Sequence, residues 1–588
     1  MFTRIVRQWS DPIVEALSPK NRRSGMRPRR SSFRPSLEAL EVRALPSINP
    51  IIGDVIYIEM ENHNLAQPAF SNSTFTLTSP PASLIVAGAV YSNNGQSFTV
   101  AASFGTTLLT TGTGTPTASG TLTLVSGTGP ATLDYSAFAI SPEQLLGNPA
   151  APYLNSLMKQ GNPNAAQTSF ASAYYNADYN NTTINNGNGV HPSEPNYVWQ
   201  EAGLAGPFND ADPYPNNIVN APNLSALLQN AGISWKSYQE DIDLTPGMGT
   251  VNQPVAGTLT STVAPQDQWT VPLKRFSGTS ANYTNAYNGS NQYDFAPKHD
   301  GTLFFTATNG STTTPNFDPS NPEAPHYAPL QQFQTDLNNN ALARYTLITP
   351  DQFNDMHSSL NTSFTYTDYT GATNTYSAHT DQESIAMGDN FLSKIVPTIM
   401  ASQAYKNNGV IVIWFDETEG GNTTAFTVPE IVISPLAKGN AYNSTLAYTH
   451  SSDLKSLQEL FGVPAPGGGF LGDANTPGTN DLSDMFVSGV FTPSSISGTV
   501  FKNSGEDHQV EAGLTIVLTG TNDANQLISL TTTTGADGSY SFTGLLPGTY
   551  KITVQGTKKV VGISSITLTS GEILNNEDFS LHGPDSKK

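Results

Sequence analysis

Two acidic pairs in this sequence each follow a strongly apolar run. Glu61-Asn62 comes directly after the first run, and Asp416-Glu417 comes directly after the second. Hard divalent cations are bound by carboxylate and amide oxygens that converge from separate elements. Either pair alone also suits a solvated loop or a helix cap, because Asp and Asn are common after strands. Taken together, the pairs predict a metal site formed by Glu61, Asn62, Asp416 and Glu417.

Ser193 is the candidate nucleophile. It stands two residues before Pro195, and proline suits the first turn of a helix. Ser193 is therefore expected just ahead of a helix N-terminus, where free N–H groups and the helix dipole stabilise a phosphate and a developing alkoxide. A serine so placed can act as a nucleophile when a cation lowers the pKa of its hydroxyl. The same position also suits a plain N-cap serine.

Three histidines complete the set of candidates. His299 lies in Pro297-Lys298-His299-Asp300, His357 closes Asn354-Asp355-Met356-His357, and His450 precedes a helical pattern. An imidazole can donate to phosphoryl oxygens or protonate a leaving group. A lone histidine can equally be structural. We take His299 and His357 as catalytic candidates and His450 as a third histidine of interest.

The elements that must position these residues alternate along the chain. Apolar runs at 51–60 and 409–415, with shorter ones at 345–348 and 430–434, are typical of buried strands of a parallel sheet. Helical patterns lie between them at 153–160, 224–231 (with Gly232 as C-cap), 385–404 and 454–461 (with Ser451-Ser452 as N-cap). The alternation predicts an α/β fold with a mostly parallel sheet sandwiched by helices. Ligands bind outside the carboxyl ends of such strands, which is where both acidic pairs lie.

Two further segments have a different pattern. Residues 70–138 contain one charged residue, Asp134, and alternate like strands, which predicts an inserted β-rich domain. Their Gly-rich run lacks the Gly-Lys-Ser/Thr of a P-loop, so we expect no bound nucleotide. Residues 493–588 show six or seven short strands separated by turns, which predicts a β-sandwich. The domain arrangement is therefore 1–48 as a basic, export-type or disordered leader, 49–69 with 139–490 as the catalytic domain, 70–138 as the insertion and 493–588 as the C-terminal module.

Charge and composition limit the partners. The net charge is −21, and because residues 1–45 are basic the remainder carries −27. So acidic a body repels nucleic acid and anionic lipid surfaces, and we expect neither as a partner. Charged residues make up only 12% of the chain and Cys is absent, so thiolate and disulfide chemistry are excluded. No run is long enough for a membrane span.

A set of short motifs occurs in a fixed order along the chain: Met60-Glu61-Asn62-His63, Asn148-Pro149-Ala150-Ala151-Pro152-Tyr153-Leu154-Asn155, His191-Pro192-Ser193-Glu194-Pro195-Asn196-Tyr197, Trp235-Lys236-Ser237-Tyr238-Gln239-Glu240-Asp241, Lys298-His299, Pro350-Asp351, Asn354-Asp355-Met356-His357, Phe415-Asp416-Glu417, Ile433-Ser434-Pro435 and Thr449-His450-Ser451. This order resembles the bacterial acid phosphatase/phospholipase C phosphoesterase family of the alkaline-phosphatase-like superfamily. The leader segment 34–43 also resembles one found on exported proteins, and the C-terminal module resembles prealbumin-like modules of bacterial surface proteins.

The resemblance implies an alkaline-phosphatase-like fold, a metal bound by the two acidic pairs, a phosphorylated Ser193, and contacts from His299 and His357 to the phosphoryl or leaving group. Glu417 stands where other members carry a second aspartate, and the metal stays open among calcium, iron, zinc and manganese. Ser193-Glu194-Pro195-Asn196-Tyr197 is closer to the acid phosphatase branch, so the expected activity is hydrolysis of phosphate monoesters by a secreted or cell-surface enzyme. The alternatives are a phospholipase C-type phosphodiesterase on the same site and a surface adhesion protein with a relic core.

Overall fold

The computed structural model describes residues 51–581, apart from 66–72, 87, 94, 105–106, 112–118, 140–143, 177–188, 205, 207–208, 243–258, 311–318, 419–426, 503–508 and 556–560. The leader predicted for 1–48 lies outside the described residues. The described α-helices are α1 (Pro152–Leu157), α2 (Ser193–Ala202), α3 (Leu224–Asn230), α4 (Thr306–Asn309), α5 (Leu330–Asn338), α6 (Asp381–Ala401), α7 (Gln403–Lys406) and α8 (His450–Phe461). Single 3₁₀ turns span Pro163–Ala165, Gln266–Gln268, Pro297–His299, Gly301–Phe304, Ala324–His326, Gly472–Asn475 and Leu482–Met485.

The described strands are β1 (Val55–Met60), β2 (Ser73–Leu77), β3 (Val90–Asn93), β4 (Gln96–Phe104), β5 (Thr107–Thr111), β6 (Gly120–Ser126), β7 (Thr132–Ala139), β8 (Thr168–Ala171), β9 (Trp235–Gln239), β10 (Phe276–Thr279), β11 (Gln292–Phe295), β12 (Tyr327–Pro329), β13 (Tyr345–Thr349), β14 (Phe364–Thr367), β15 (Thr373–Tyr376), β16 (Val410–Phe415), β17 (Glu430–Ile433), β18 (Tyr442–Ser444), β19 (Ser494–Phe501), β20 (Thr515–Asn522), β21 (Leu527–Thr533), β22 (Ser539–Leu545), β23 (Gly548–Val554), β24 (Val561–Leu568), β25 (Ile573–Leu574) and β26 (Phe579–Ser580).

An eight-stranded mixed sheet organises the centre of the chain, in the order β12-β9-β13-β1-β16-β17-β8-β18. The five strands from β12 to β16 are parallel to one another, whereas β17 runs antiparallel to both of its neighbours. The prediction of a mixed α/β architecture is confirmed, and the antiparallel β17 is the departure from a parallel sheet. β1 and β16 are adjacent, and Met60 pairs with Phe415, so both strands end at the same edge.

The two central strands are buried because they are apolar without alternation. Every residue of β1 and of β16 is buried, as expected for strands covered on both faces. One group of helices, α2, α3 and α8, packs together, and α1, α6 and α7 form a second group. One large apolar core joins the sheet and its helices. This core fixes the sheet edge that carries the acidic pairs.

The segment predicted as an inserted β-rich domain forms a closed six-stranded barrel, in the order β2-β5-β4-β3-β6-β7. Its core is separate from the central one and is built around Phe75, Phe98 and Tyr135, whose rings meet edge to face. The two ends of this insertion lie side by side on the central domain, where the Leu145 amide donates to the Asn64 carbonyl at 2.8 Å. The barrel is thus attached just after Glu61-Asn62.

The C-terminal module consists of two sheets that share an apolar core. One holds β22, β19, β25 and β26, and the other has the order β21-β20-β23-β24. Ile496 of the first sheet and Leu518 and Tyr550 of the second are fully or almost fully buried in that common core. Across the described ranges, none of the helices combines the length and the apolar character needed to cross a bilayer.

Several element boundaries differ from the expectations. The last core helix begins at His450 and is capped by Thr449 in a capping box with Ser452, so Ser451-Ser452 is not the N-cap. Helix α6 begins four residues earlier than predicted, because Thr380 accepts a hydrogen bond from the Glu383 amide. Ala231 rather than Gly232 is the C-cap residue of α3.

Candidate active site

The two acidic pairs meet at the carboxyl edge of the central sheet. Glu61 and Asp416 are the residues that directly follow β1 and β16, and both are completely buried. The chain turns sharply after Glu61, where Asn62 has a φ of +50° and its backbone amide donates to Asp416 Oδ1 at 3.0 Å. Asparagine tolerates this left-handed conformation better than most residues do. The turn therefore joins the two pairs.

Ser193 lies between the two pairs. It is the first residue of α2 and is 2% exposed. Its hydroxyl donates to Glu61 Oε2 at 2.8 Å and lies 3.3 Å from Glu417 Oε1. One helical turn later, Asn196 donates to Glu417 Oε2 at 3.3 Å. The N-terminus of α2 thus faces the carboxylates that sequence reasoning assigned to the metal.

The second oxygen of Glu61 is held by two aromatic rings that stack on each other. Tyr197 donates its hydroxyl to Glu61 Oε1 at 2.6 Å, and His299 Nδ1 lies 3.3 Å from the same oxygen. The rings of Tyr197 and His299 are nearly parallel, with centroids 5.4 Å apart and an angle of 9° between their planes. His299 is thereby fixed beside Glu61.

Asp355 is a fourth carboxylate of this cluster. Its backbone carbonyl accepts a hydrogen bond from the Glu61 amide at 2.8 Å, and its Oδ2 lies 3.4 Å from His299 Nδ1. Its Oδ1 accepts from the backbone amide of His357 at 2.7 Å, and the rings of His299 and His357 lie 5.6 Å apart. Between Asp355 and His357, Met356 has a φ of +83°, an uncommon conformation for a bulky side chain. The two histidines and Asp355 therefore form one wall of the site.

The carboxylates repel one another in a setting that also disfavours charge. Burial, reinforced by the charges of Asp416 and Asp355, raises the pKa of Glu61 well above its usual value. Burial and the charge of Glu417 raise the pKa of Asp416 to about 7. Burial lowers the pKa of His299 well below its usual value and that of His357 to about 4. Both rings are therefore neutral at neutral pH and do not balance the acids.

This donor set fits a divalent cation. Asn62 Oδ1 and Asp416 Oδ2 are buried and accept no hydrogen bond from the described residues, as oxygens meant for a cation would be. Three carboxylates, an amide and a serine hydroxyl converge there, and oxygen donors of this kind suit hard cations. Glu61, His299 and His357 can also each offer one ligand atom within 4.8 Å of the others. Side-chain donors that could bind a cation thus lie on both sides of Glu61.

The seven residues predicted to bind metal or act in catalysis lie in this region, and the third histidine, His450, contacts the backbone of Asp416. Glu61, Asn62, Asp416, Glu417 and Ser193 contact one another, and His299 and His357 lie on the Asp355 side. Sequence reasoning missed Asp355, Asn196 and Tyr197 as parts of the site. Asp355 carried a weaker signal, since it lies in the segment after the buried strand β13 but does not follow that strand directly, as Glu61 follows β1. Asn196 and Tyr197 stand one helical turn after Ser193, and that spacing was the signal for both.

Comparisons with known proteins agree with this chemistry. Residues 167–464 match the sequence profile of the Phosphoesterase family, and residues 495–582 match that of the carboxypeptidase regulatory-like domain. A phosphatidylinositol-3-phosphatase of Mycobacterium tuberculosis is 21% identical over 56% of this chain and 75% of its own length. A probable acid phosphatase of Kluyveromyces lactis is 23% identical over 49% of this chain and 52% of its own. A phosphate-repressible acid phosphatase of Penicillium chrysogenum is 22% identical over 47% and 51%. The match thus spans about half the length of the two fungal relatives.

Proposed function

The chain belongs to the phosphoesterase family and is a hydrolase of phosphoric ester bonds, and we propose that it hydrolyses phosphate monoesters through a phosphoserine formed at Ser193. The observation that carries the proposal is the position of the Ser193 hydroxyl, at the N-terminus of α2 and 2.8 Å from Glu61 Oε2. Glu61, Asn62, Asp416 and Glu417 are the proposed metal ligands. A divalent cation bound there would neutralise charge on the phosphoryl oxygens and lower the pKa of the Ser193 hydroxyl.

The proposed reaction has two chemical steps, formation of the phosphoserine and its hydrolysis, and different residues of the chain assist them. Ser193 gives up its proton, its oxygen bonds to phosphorus, and the bond from phosphorus to the leaving oxygen breaks while that oxygen takes up a proton. Water then attacks the phosphoserine, which releases phosphate and restores the hydroxyl. The free amides at the start of α2 bind the phosphoryl oxygens. The neutral ring of His299 directs its Nδ1 towards the carboxylates of Glu61 and Asp355 and so helps to hold Glu61 in place. His357 is more exposed than His299, and we propose that it contacts the leaving group.

The monoester preference has three sources of support. The motif around Ser193 matches the acid phosphatase branch, and two relatives are named acid phosphatases while the third is named for a phosphatidylinositol 3-phosphate monoester. Lys298 pairs with Asp210 and Arg275 pairs with Asp294, yet after burial the charges of these two cations are the main causes that lower the pKa of His357. A monoester dianion carries one more negative charge than a diester and gains more from them.

The export-type leader and the C-terminal module support the proposal that the enzyme acts outside the cell or at the cell surface. We propose that the regulatory-like module serves as a spacer or attachment domain, since it contributes no residue to the site described above. Its strands place alternating residues in a small apolar core and leave the others exposed. The adhesion alternative, with a relic core, would not require the acids, Ser193 and both histidines to have converged.

The decisive experiment replaces Ser193 by alanine and measures turnover of p-nitrophenyl phosphate. We expect a loss of at least about 10³-fold with the fold intact, because the nucleophile is gone. Ser225→Ala is the matched control, since Ser225 is also a buried serine in the first turn of a helix that donates to a buried glutamate, Glu201, at 3.0 Å. The control should keep near-normal turnover. A folded Ser193→Ala protein with near-normal turnover would remove the nucleophile assignment.

Two further measurements address the metal and the ester class. Chelator treatment should abolish turnover, and re-addition of one of calcium, iron, zinc or manganese should restore it. Catalytic efficiency on p-nitrophenyl phosphate, its bis-ester and phosphatidylcholine should decline in that order. A preference for either diester would assign the chain to the phospholipase C branch and leave the site residues unchanged.

A further inference from the structure

His450 lies directly behind the second acidic pair and is completely buried. Its Nε2 is 2.7 Å from the backbone carbonyl of Asp416 and 3.2 Å from Oδ1 of Asn196. On the other side of the ring, Nδ1 is 3.1 Å from the indole Nε1 of Trp414 and 2.9 Å from the Tyr174 hydroxyl. His450 thus touches the site through the backbone of one proposed ligand and through Asn196.

The neighbours of His450 determine which ring nitrogen carries the proton. A backbone carbonyl can only accept, so Nε2 must donate to the Asp416 carbonyl, and in a neutral ring Nδ1 is then the acceptor. The Trp414 N–H, which lies 3.1 Å from Nδ1 and 3.2 Å from the Tyr174 hydroxyl, fits this assignment because it can only donate. Nε2 therefore carries the hydrogen and donates to the Asp416 carbonyl and to Asn196. Burial lowers the pKa of His450 to about 3, in agreement with a neutral ring. The imidazole is a fixed donor aimed at the acidic pair.

The Nε2–H group of His450 also fixes the orientation of the Asn196 side-chain amide. Because Oδ1 of Asn196 faces His450, its Nδ2 faces the opposite way and donates to Glu417 Oε2 at 3.3 Å and to the Val190 carbonyl at 2.9 Å. One imidazole hydrogen thus orients the backbone of Asp416 and, through Asn196, the segment that leads to Ser193. Through Asn196 it also contributes to the position of the Glu417 carboxylate, whose Oε2 lies 2.8 Å from His191 Nδ1 as well.

We propose that His450 is a positioning residue for the metal ligands Asp416 and Glu417 and for the chain before Ser193. The inference deepens the proposed function and rests on it. A buried layer behind the ring holds it in place, in which Asp453 accepts from Tyr174 at 2.5 Å and from Tyr57 at 2.8 Å. Such partners behind metal ligands typically change metal affinity about 10–100-fold when they are lost.

The test compares two amides at position 450. A glutamine places its N–H₂ near the position of Nε2, whereas an asparagine reaches only as far as Nδ1. We expect His450→Asn to raise the Kd of the metal about 10–100-fold, and His450→Gln to recover most of the lost affinity. Calcium, zinc and manganese are titrated separately into chelator-treated wild-type protein, and the tightest binder serves as the probe for all variants. Thermal midpoints of the metal-free proteins show whether each variant is folded.

His326 supplies the matched control pair. It also packs against a tryptophan, with its ring stacked 4.2 Å from that of Trp235, and it is absent from the site described above. His326→Asn and His326→Gln should leave the metal Kd unchanged. Wild-type affinity in a folded His450→Asn protein, or equal losses in the asparagine and glutamine variants at position 450, would overturn the proposal.

Two outcomes separate this inference from the proposed function. If Asp416→Asn also binds metal like the wild type, the proposed ligand set itself is wrong. If Asp416→Asn loses the metal and His450→Asn keeps it, only the role of His450 fails. Should the asparagine variant not fold, ¹⁵N-histidine NMR of the wild type decides, because the proposal requires a neutral His450 with its hydrogen on Nε2 and a hydrogen on Nδ1 refutes it.

Discussion

Removing one charge from the acid cluster should stabilise the metal-free protein even though it destroys metal binding. Burial and Glu417 raise the pKa of Asp416 to about 7 from an ordinary value of 3.8. The folded protein therefore binds more protons than the unfolded chain between pH 4 and 7, and stability falls as pH rises through that window. The difference of about three pKa units corresponds to about 4 kcal/mol above pH 7. An asparagine at position 416 does not ionise, so the Asp416→Asn protein does not lose this stability as the pH rises.

The assay is urea unfolding of chelator-treated wild-type and Asp416→Asn proteins at pH 5 and pH 8, followed by tryptophan fluorescence. Four of the five tryptophans, at 199, 235, 269 and 414, lie in the phosphoesterase region and none in the two β-domains, so the signal reports mainly that region. We expect the free energy of unfolding of the variant to exceed that of the wild type at pH 8 by up to about 4 kcal/mol, and by much less at pH 5. Saturating metal should reverse the order at pH 8. Equal pH dependence of the two metal-free proteins would refute the reasoning.

Three further predictions concern other parts of the molecule. Gly388→Ala should destabilise the protein by about 1–3 kcal/mol, because the added Cβ would lie 2.3 Å from Cγ of Met356. Turnover should fall as well, since Met356 connects Asp355 to His357. An unchanged urea midpoint and unchanged turnover would contradict this. Lys298→Met should lower kcat/KM more for p-nitrophenyl phosphate than for its bis-ester, since a positive charge that acts on His357 is lost and the dianion gains more from such a charge. Equal losses on both substrates would argue against that role. Excision of residues 70–138 should leave a folded, active enzyme by turnover and circular dichroism, and insoluble protein would count against the independence of the barrel.

The parts of the site that lie at strand ends could be predicted, and the parts that depend on tertiary contacts could not. Apolar runs without alternation located β1 and β16, and the residues after them followed directly. The stack of Tyr197 on His299 joins residues about a hundred positions apart, and the contact of His450 with Asn196 spans 254 positions. No local pattern encodes which side chains meet across such separations. Asp355 was overlooked because His357, two residues later, attracted the functional assignment.

For the fold as well, some features could be predicted from the sequence and others could not. Because the central strands are buried on both faces, each is a continuous apolar run, and such a run can be recognised in the sequence alone. The antiparallel direction of β17 leaves no such mark, because a buried strand has the same composition in either direction. In the barrel, β2 and β5 are rich in Thr, a residue that favours strands, and both agree with the β-rich domain predicted for 70–138. Which strands pair to close the barrel is set by tertiary contacts and has no local pattern.

The attachment of the barrel links the folding of two distant cores. Asn64 and Leu145 are hydrogen-bonded neighbours, yet roughly 80 residues separate them along the chain. While the barrel is folded, its adjacent end strands β2 and β7 bring the two ends of the excursion together, so the chain left to be closed is about 13 linker residues rather than about 80. If the barrel unfolds, closing the full excursion costs about 2 kcal/mol more in chain entropy. A mutation that unfolds the barrel would therefore destabilise the turn that carries Glu61 and Asn62, although the barrel core is remote from that turn. By lowering the loop-closure entropy, the folded barrel stabilises the sheet edge that carries the acidic pairs.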